Sequence, residues 1–411
     1  MDLYSIASFI LTLAIFVAYI NHRFIKMQTT IAIMMASMLI SLVLIIFTHV
    51  GLYSFPQTTI QLITHIDFSK LLINGMLSFL LFAGALTIDI KTLRSQRWEI
   101  FILSTFSTIA SALLIALGSY FFLPLIGLPL EFIYCLLFGA LISPTDPIAV
   151  LATFKQIKAP KILESTVAGE SLFNDGVGIV MFLALYHLAF SHQAVTFMSV
   201  TILFTQQAIG GVIYGLIIGV IGSWLMKFTD DHKLEILLTI AIATGGYTFA
   251  QSLDISGPLA MVVAGIVVGN YGRNHTMSKA ACTMLDEFWE LIDEILNSVL
   301  FLLVGFALLN IIKGQSHWLA SLLAIPLVLF VRYVTVAIPL SVFKIKKTYC
   351  PHMITILVWG GLRGGLAMAL ALTLPLGDSR ELLLVMTYSV VAFAVIIQGL
   401  TIKPLIQLTK S

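Results

Sequence analysis

Charge is scarce in this chain. Asp, Glu, Lys and Arg make up 10% of its 411 residues, against about 25% in soluble globular proteins. Hydrophobic residues reach 59% and mean hydropathy is +1.04, which excludes a soluble fold of this length and leaves an all-α polytopic membrane protein. Cysteine is nearly absent. Cys135, Cys282 and Cys350 have no metal-ligand spacing, so neither a disulfide framework nor a soft-metal cluster is expected. No cleavable leader is expected either: Met1-Asp2-Leu3 runs into apolar sequence to about Ile20 without a basic n-region, as a first span does. There is no Gly-x-Ser-x-Gly elbow and no His-Glu-x-x-His helix, which argues against an intramembrane enzyme and against a cofactor.

What the chain has instead is a series of apolar runs near the length of a membrane span. Thirteen are expected, at about 3–22, 29–49, 70–88, 99–124, 131–153, 161–190, 198–226, 233–253, 256–272, 283–311, 318–343, 351–375 and 381–402. The basic residues test this number. One set of alternating loops holds Arg23, Lys26, Lys91, Arg94, Arg97, Lys155, Lys158, Lys161, Lys227, Lys233, Arg273, Lys279, Lys344, Lys346, Lys347, Lys403 and Lys410. The opposite set holds only Lys70, Lys313 and Arg380. Short cytoplasmic loops carry the Lys/Arg excess, which predicts an outside N-terminus and a cytoplasmic C-terminus; a short-tailed multi-pass chain of this kind suggests a bacterial cytoplasmic membrane. The longest loop, 51–68, falls outside the membrane. No regulatory tail is expected after the last span.

Thirteen spans divide as six, one and six: a first repeat over about 3–190, a linking helix at 198–226 and a second repeat over about 233–402. A single linker makes the second six enter from the opposite side, the inverted-repeat plan that places transport sites at broken helices near the midplane. Breaks fall in corresponding places. Span five contains Ser143-Pro144-Thr145-Asp146-Pro147, and proline removes a helix hydrogen bond and clashes with the preceding turn. Span twelve contains Trp359-Gly360-Gly361-Leu362-Arg363-Gly364-Gly365, where glycines loosen the helix around an arginine. Asp146 and Arg363 are suited to neutralise the partial charges of the half-helix ends.

Span six carries Gly169-Glu170-Ser171-Leu172-Phe173-Asn174-Asp175-Gly176 within apolar sequence. An ionisable residue at that depth costs at least about 2.5–3.5 kcal/mol and marks a functional site. Ser171 and Asp175 are one helical turn apart, as are Glu170 and Asn174. Carboxylate, hydroxyl, amide and freed carbonyl oxygens suit a hard monovalent cation, and burial disfavours a charged carboxyl. Protons and cations therefore compete for Asp175, and that competition is sufficient for exchange. Arg332 of span eleven is available to Glu170 as a buried ion pair, leaving one free carboxylate and one cation per proton. Ser171 is either a ligand or bonded to its own backbone. Asp146 is either a helix-end neutraliser or part of the site. The acids from Asp286 to Glu294 fit the solvated start of span ten.

These three polar segments resemble the signatures of monovalent cation:proton antiporters, most closely the NhaP-type and sodium/proton exchanger branch. Leu81-Phe82-Ala83-Gly84-Ala85-Leu86 and Gly265-Ile266-Val267-Val268-Gly269-Asn270 extend the likeness over nearly the whole chain. The resemblance implies a homodimer whose core helices, about 99–190 and 318–402, move in an elevator-like step. They would move against dimerisation helices at about 3–88 and 233–311. It implies that Asp175 binds the ion with Asn174 beside it in the electroneutral pattern, that Thr145, Asp146 and Ser171 surround it, and that Glu170 pairs with Arg332. Some members carry a glutamate in span three, where this chain reads Phe82-Ala83-Gly84. Selection among Na+, Li+ and K+ stays open. An ion channel or a sodium-coupled solute cotransporter is the alternative.

Overall fold

The computed structural model describes residues 3–50, 71–157, 159–190, 197–229, 231–311, 317–344 and 352–408. The loop at 51–68, Lys70, Lys158, Asp230, Lys313, Lys346, Lys347, Cys350 and Lys410 lie outside them. Regular structure among the described residues is helical, and each of the thirteen stretches contains helix. In chain order the helices are α1 (Leu3–Ile20), α2 (Thr29–Val50), α3 (Leu77–Leu86), α4 (Ser107–Phe122), α5 (Phe132–Ile142), α6 (Ile148–Ile157) and α7 (Lys161–Phe190). Next comes α8 (Phe197–Met226). After it follow α9 (His232–Ala241), α10 (Gly257–Val267), α11 (Lys279–Phe306), α12 (Trp318–Lys344), α13 (Met353–Trp359), α14 (Gly365–Leu372), α15 (Asp378–Phe393) and α16 (Gly399–Leu408).

Eight helical runs among the described residues are long and apolar enough to cross a membrane unaided. The other stretches fall short for physical reasons. Stretches five and twelve are split into α5 with α6 and α13 with α14. The helix around α3 is short, even with the π-helical turn Leu72–Met76 before it. The helix around α10 is short too, with the turn Val268–Gly272 after it. α11 opens with acids. Such π turns also interrupt the helices at Ile102–Phe106, Ile242–Gly246 and Ala394–Gln398.

Two groups of helices pack among themselves. α4 lies on α5 and α12, α5 on α7, and α15 on α12 and α14. Separately, α10 lies between α3 and α8, while α11 packs on α1, α2 and α3. α7 touches both groups through α5 and through α8 and α10. Small residues allow the close approaches, as in membrane helices generally. A Cβ at Gly215 would stand 2.5 Å from the Ala260 carbonyl, and one at Gly269 would stand 2.3 Å from that of Leu86. The two outlying motifs of the sequence, 81–86 and 265–270, are thus one seam. Asn270 closes it, donating to the Ile88 carbonyl (2.8 Å) and accepting from the Ile90 amide (2.9 Å).

Two of the loops that carry basic residues, those of Lys155 and Lys403, lie together. Lys155 lies 3.9 Å from Glu290, and Lys403 lies 3.5 Å from Gln156. Nearby, Asp89 caps a short helix, and the Lys91 amide it accepts from holds its carboxyl below the ordinary range. Asp231 caps α9 by accepting from the Lys233 amide (2.9 Å). Trp98, Trp224 and Trp318 stay exposed near helix ends, as interfacial anchors do.

Candidate functional site

The two split stretches cross at their unwound segments. The Asp146 amide donates to the Leu362 carbonyl (2.8 Å) in an antiparallel bridge. Gly364 permits the crossing, since a Cβ there would lie 2.2 Å from Asp146 Oδ2. Gly178 of α7 does the same for Pro144, whose Cγ would be 2.1 Å from an added Cβ.

Four half-helix ends meet here, and each faces a charge of the sign that its dipole requires. The carbonyl end of α5 receives Arg363, whose Nη1 donates to the Ser143 carbonyl and to that of Pro144 (2.8 Å). The carbonyl end of α13 receives Arg332, whose Nη2 donates to Leu357 (3.1 Å). At the amide end of α6, Asp146 Oδ1 accepts from the Ile148 amide (2.9 Å). Its Oδ2 faces Gly364, the N-cap residue of α14. The compensation is crosswise: the arginine of one break caps the other break, and one aspartate stands between two amide ends.

Span six fastens onto this crossing. Arg332 Nη1 donates to Glu170 Oε1 at 2.5 Å, and both side chains are buried. Ser171 Oγ donates to the Thr145 carbonyl. Asn174 Nδ2 donates to Thr145 Oγ1 (2.8 Å), and Asn174 Oδ1 accepts from the Thr145 amide (3.2 Å). Ser171 and Asn174 therefore clamp α7 to the break in span five. Both of the Asn174 amide groups are engaged in that clamp.

Asp175 is one residue further along and is treated differently. It is half-buried, faces the charge of Asp146, and has no hydrogen-bond or ion-pair partner among the described residues. The structure thus gathers Thr145, Asp146, Glu170, Ser171, Asn174, Asp175, Arg332 and Arg363 around one crossing. The chemistry is that of several oxygens beside one unneutralised carboxylate. No group of three or more His, Cys, Asp or Glu suited to a resident metal occurs among the described residues.

Span ten departs from its expected reading. Asp286, Glu287 and Glu290 are exposed, as a solvated start requires, but Asp293 is half-buried and Asn297 is buried. Their spacing of four in a run that turns apolar was the available signal, and it lies on the helix face that leads toward the crossing.

The chain is similar to known proteins over nearly its whole length. Residues 10–408 match the model of the family described as sodium/hydrogen exchanger, transmembrane. The Na+/H+ antiporter NhaP of Pseudomonas aeruginosa is 42% identical over 406 residues, covering 98% of this chain and 96% of that protein. The Na+/H+ antiporter NhaH of Halobacillus aidingensis is 37% identical, covering 83% of each. Among solved structures, the sodium proton antiporter MjNhaP1 of Methanocaldococcus jannaschii superposes with a TM-score of 0.77 at 19% identity. It covers 100% of this chain and 99% of that one, and the likeness is one of fold.

Proposed function

The chain belongs to the sodium/hydrogen exchanger family, and from that premise we propose that it exchanges Na+ for H+ across the membrane at Asp175. It is a multi-pass membrane transporter rather than an enzyme. One observation carries the assignment to Asp175. Every other charge at the crossing is engaged: Glu170 with Arg332, Arg332 also with Leu357, Arg363 with Ser143 and Pro144, Asp146 with Ile148. Asp175 alone among them has no such partner. A charge left unneutralised in a low-dielectric site requires a counterion or a proton, and Na+ and H+ are alternative occupants of one carboxylate.

The cycle follows from that competition. The loaded site crosses with either occupant, and an empty Asp175 is too costly to carry through the apolar layer. With one titrating acid, one Na+ leaves for each H+ and no net charge moves. Asp146, Thr145 and Ser171 offer oxygens to the cation, while the Ser171 and Asn174 clamp keeps span six and span five moving together. The packing groups support a moving core of α4–α7 and α12–α16 against a scaffold of α1–α3 and α9–α11. The protein functions as a homodimer in a cytoplasmic membrane, with its N-terminus outside.

The test uses liposomes holding a proton gradient, with lumenal pH followed on addition of Na+, Li+ or K+. The native chain dissipates the gradient when a transported cation is present, at a rate indifferent to clamping the voltage with K+ and valinomycin. Asp175→Asn is silent. Exchange at the native rate by Asp175→Asn overturns the assignment, and loss of an imposed Na+ gradient without any change in lumenal pH indicates a channel instead.

A further inference from the structure

We propose that Asp293 and Asn297 of α11 form a second cation-binding station, through which Na+ passes between the basic-loop end of the molecule and Asp175. The proposal rests on the exchange reading above and adds a site to it.

The station is a stripe on one helix face. Glu290, Asp293, Asn297 and Leu300 follow one another at steps of three, four and three, the spacing that puts side chains in a row. The row starts in solvent, where exposed Glu290 faces exposed Lys155 at 3.9 Å. It ends at the crossing, where Leu300 packs so tightly on Gly365 that a Cβ there would lie 2.5 Å from its Cδ1. Gly365 opens α14 and adjoins Gly364, which faces Asp146. At 1.5 Å per residue the row covers about 15 Å along the helix axis. Asp293 and Asn297 occupy its middle.

The chemistry of those two residues points to a cation. Asn297 is buried, with 2% of its surface exposed, and its amide donates to the Asp293 carboxylate. Its Oδ1 is buried without a hydrogen-bond partner. Leaving a buried carbonyl unsatisfied is costly, and a Na+ shared with the neighbouring carboxylate satisfies both groups at once. Carboxylate and amide oxygens are ligands that a hard monovalent ion accepts alongside water. Asp293 feels the charges of Asp146, Lys155 and Glu290, so it lies within electrostatic reach of both the surface and the transport site. Lys155 and Lys403, basic-loop residues at this end, repel a cation. The acidic stripe supplies a path among them.

The decisive property is sidedness. A station on one approach alters Na+ affinity from that face alone, whereas a structural defect slows exchange from either face. The Na+ dependence of exchange is measured in membrane vesicles of both orientations. Asp293→Asn is expected to raise KM for Na+ several-fold at the face carrying Lys155 and Lys403, with Vmax and the opposite-face KM kept near native. Asn297→Leu keeps the branched shape and removes the oxygen, and it shifts the same KM in the same direction. Asp293→Glu restores most of the affinity. An unchanged KM in both Asp293→Asn and Asn297→Leu overturns the station, as does an equal loss of Vmax from both faces with melting temperature lowered. Asp175→Asn, run in parallel, separates the two readings: if it still exchanges, the transport assignment fails regardless of Asp293. If it is silent while Asp293→Asn behaves as native, only the station fails.

Discussion

Glu170 and Asp175 are both acids in one membrane helix, five residues apart, and their surroundings differ. Glu170 is held by Arg332 at 2.5 Å and is buried, an arrangement suited to holding the fold, whereas Asp175 has no such partner among the described residues. Breaking a buried pair by removing one partner costs roughly 3–5 kcal/mol, because the other charge is left uncompensated. Glu170→Gln is therefore expected to lower the melting temperature of the purified protein sharply. The double variant Glu170→Gln with Arg332→Met, which strands no charge, recovers most of the loss. If Glu170→Gln melts at the native temperature, the pair does not hold the fold. Much of this was legible beforehand. Acids in an apolar run stand out, and Arg332 was one of two basic residues with no loop to occupy. The duties of Asn174 and Ser171 were less legible, because whether a polar group binds an ion or clamps a backbone depends on what the fold brings opposite it. Here Thr145 takes both.

At the scale of elements, the crossing depends on glycines that let two unwound segments touch. Proline and glycine composition marked both breaks at the right residues, since each acts on its own local backbone. That Arg363 would cap α5 rather than its own half-helix was not legible, because it follows from the crossing itself. Gly364→Ala tests the dependence. Its Cβ would fall 2.2 Å from Asp146 Oδ2, so the carboxylate must leave the amide end of α6 or the bridge to Leu362 must open. Exchange is expected to be lost, with a measurable fall in melting temperature. Gly245→Ala is the control: it lies in a π-helical turn with nothing within 4 Å of an added Cβ, and transport and melting should stay near native. Equal behaviour of the two variants would show that the tight approach at Gly364 has no functional weight. The same reasoning explains the fall from thirteen stretches to eight self-sufficient helices. A hydrophobic window cannot foresee where a helix is unwound by design, nor that α11 keeps a charged stripe into the membrane.

At the scale of the molecule, α7 is the element on which the two packing groups meet, and it carries Asp175. If α7 travels with α4, α5 and α12 while α3 stays with α10 and α11, the contact between α3 and α7 must slide in every cycle. Gly84 of α3 and Leu172 of α7 mark that contact: a Cβ at Gly84 would lie 3.6 Å from Leu172 Cδ1, an ordinary van der Waals distance that accepts a small side chain. Gly84→Cys with Leu172→Cys, in a background without Cys135, Cys282 and Cys350, provides two thiols for a short, cleavable bismaleimide. Linking them is expected to stop Na+/H+ exchange, and cleaving the linker is expected to restore it. Each single-cysteine variant, treated alike, continues to exchange, which removes labelling as the cause. Continued exchange by the linked double variant would mean that α3 and α7 move as one body. The sliding surface would then lie elsewhere, and the division into core and scaffold would have to be redrawn with α3 inside the core.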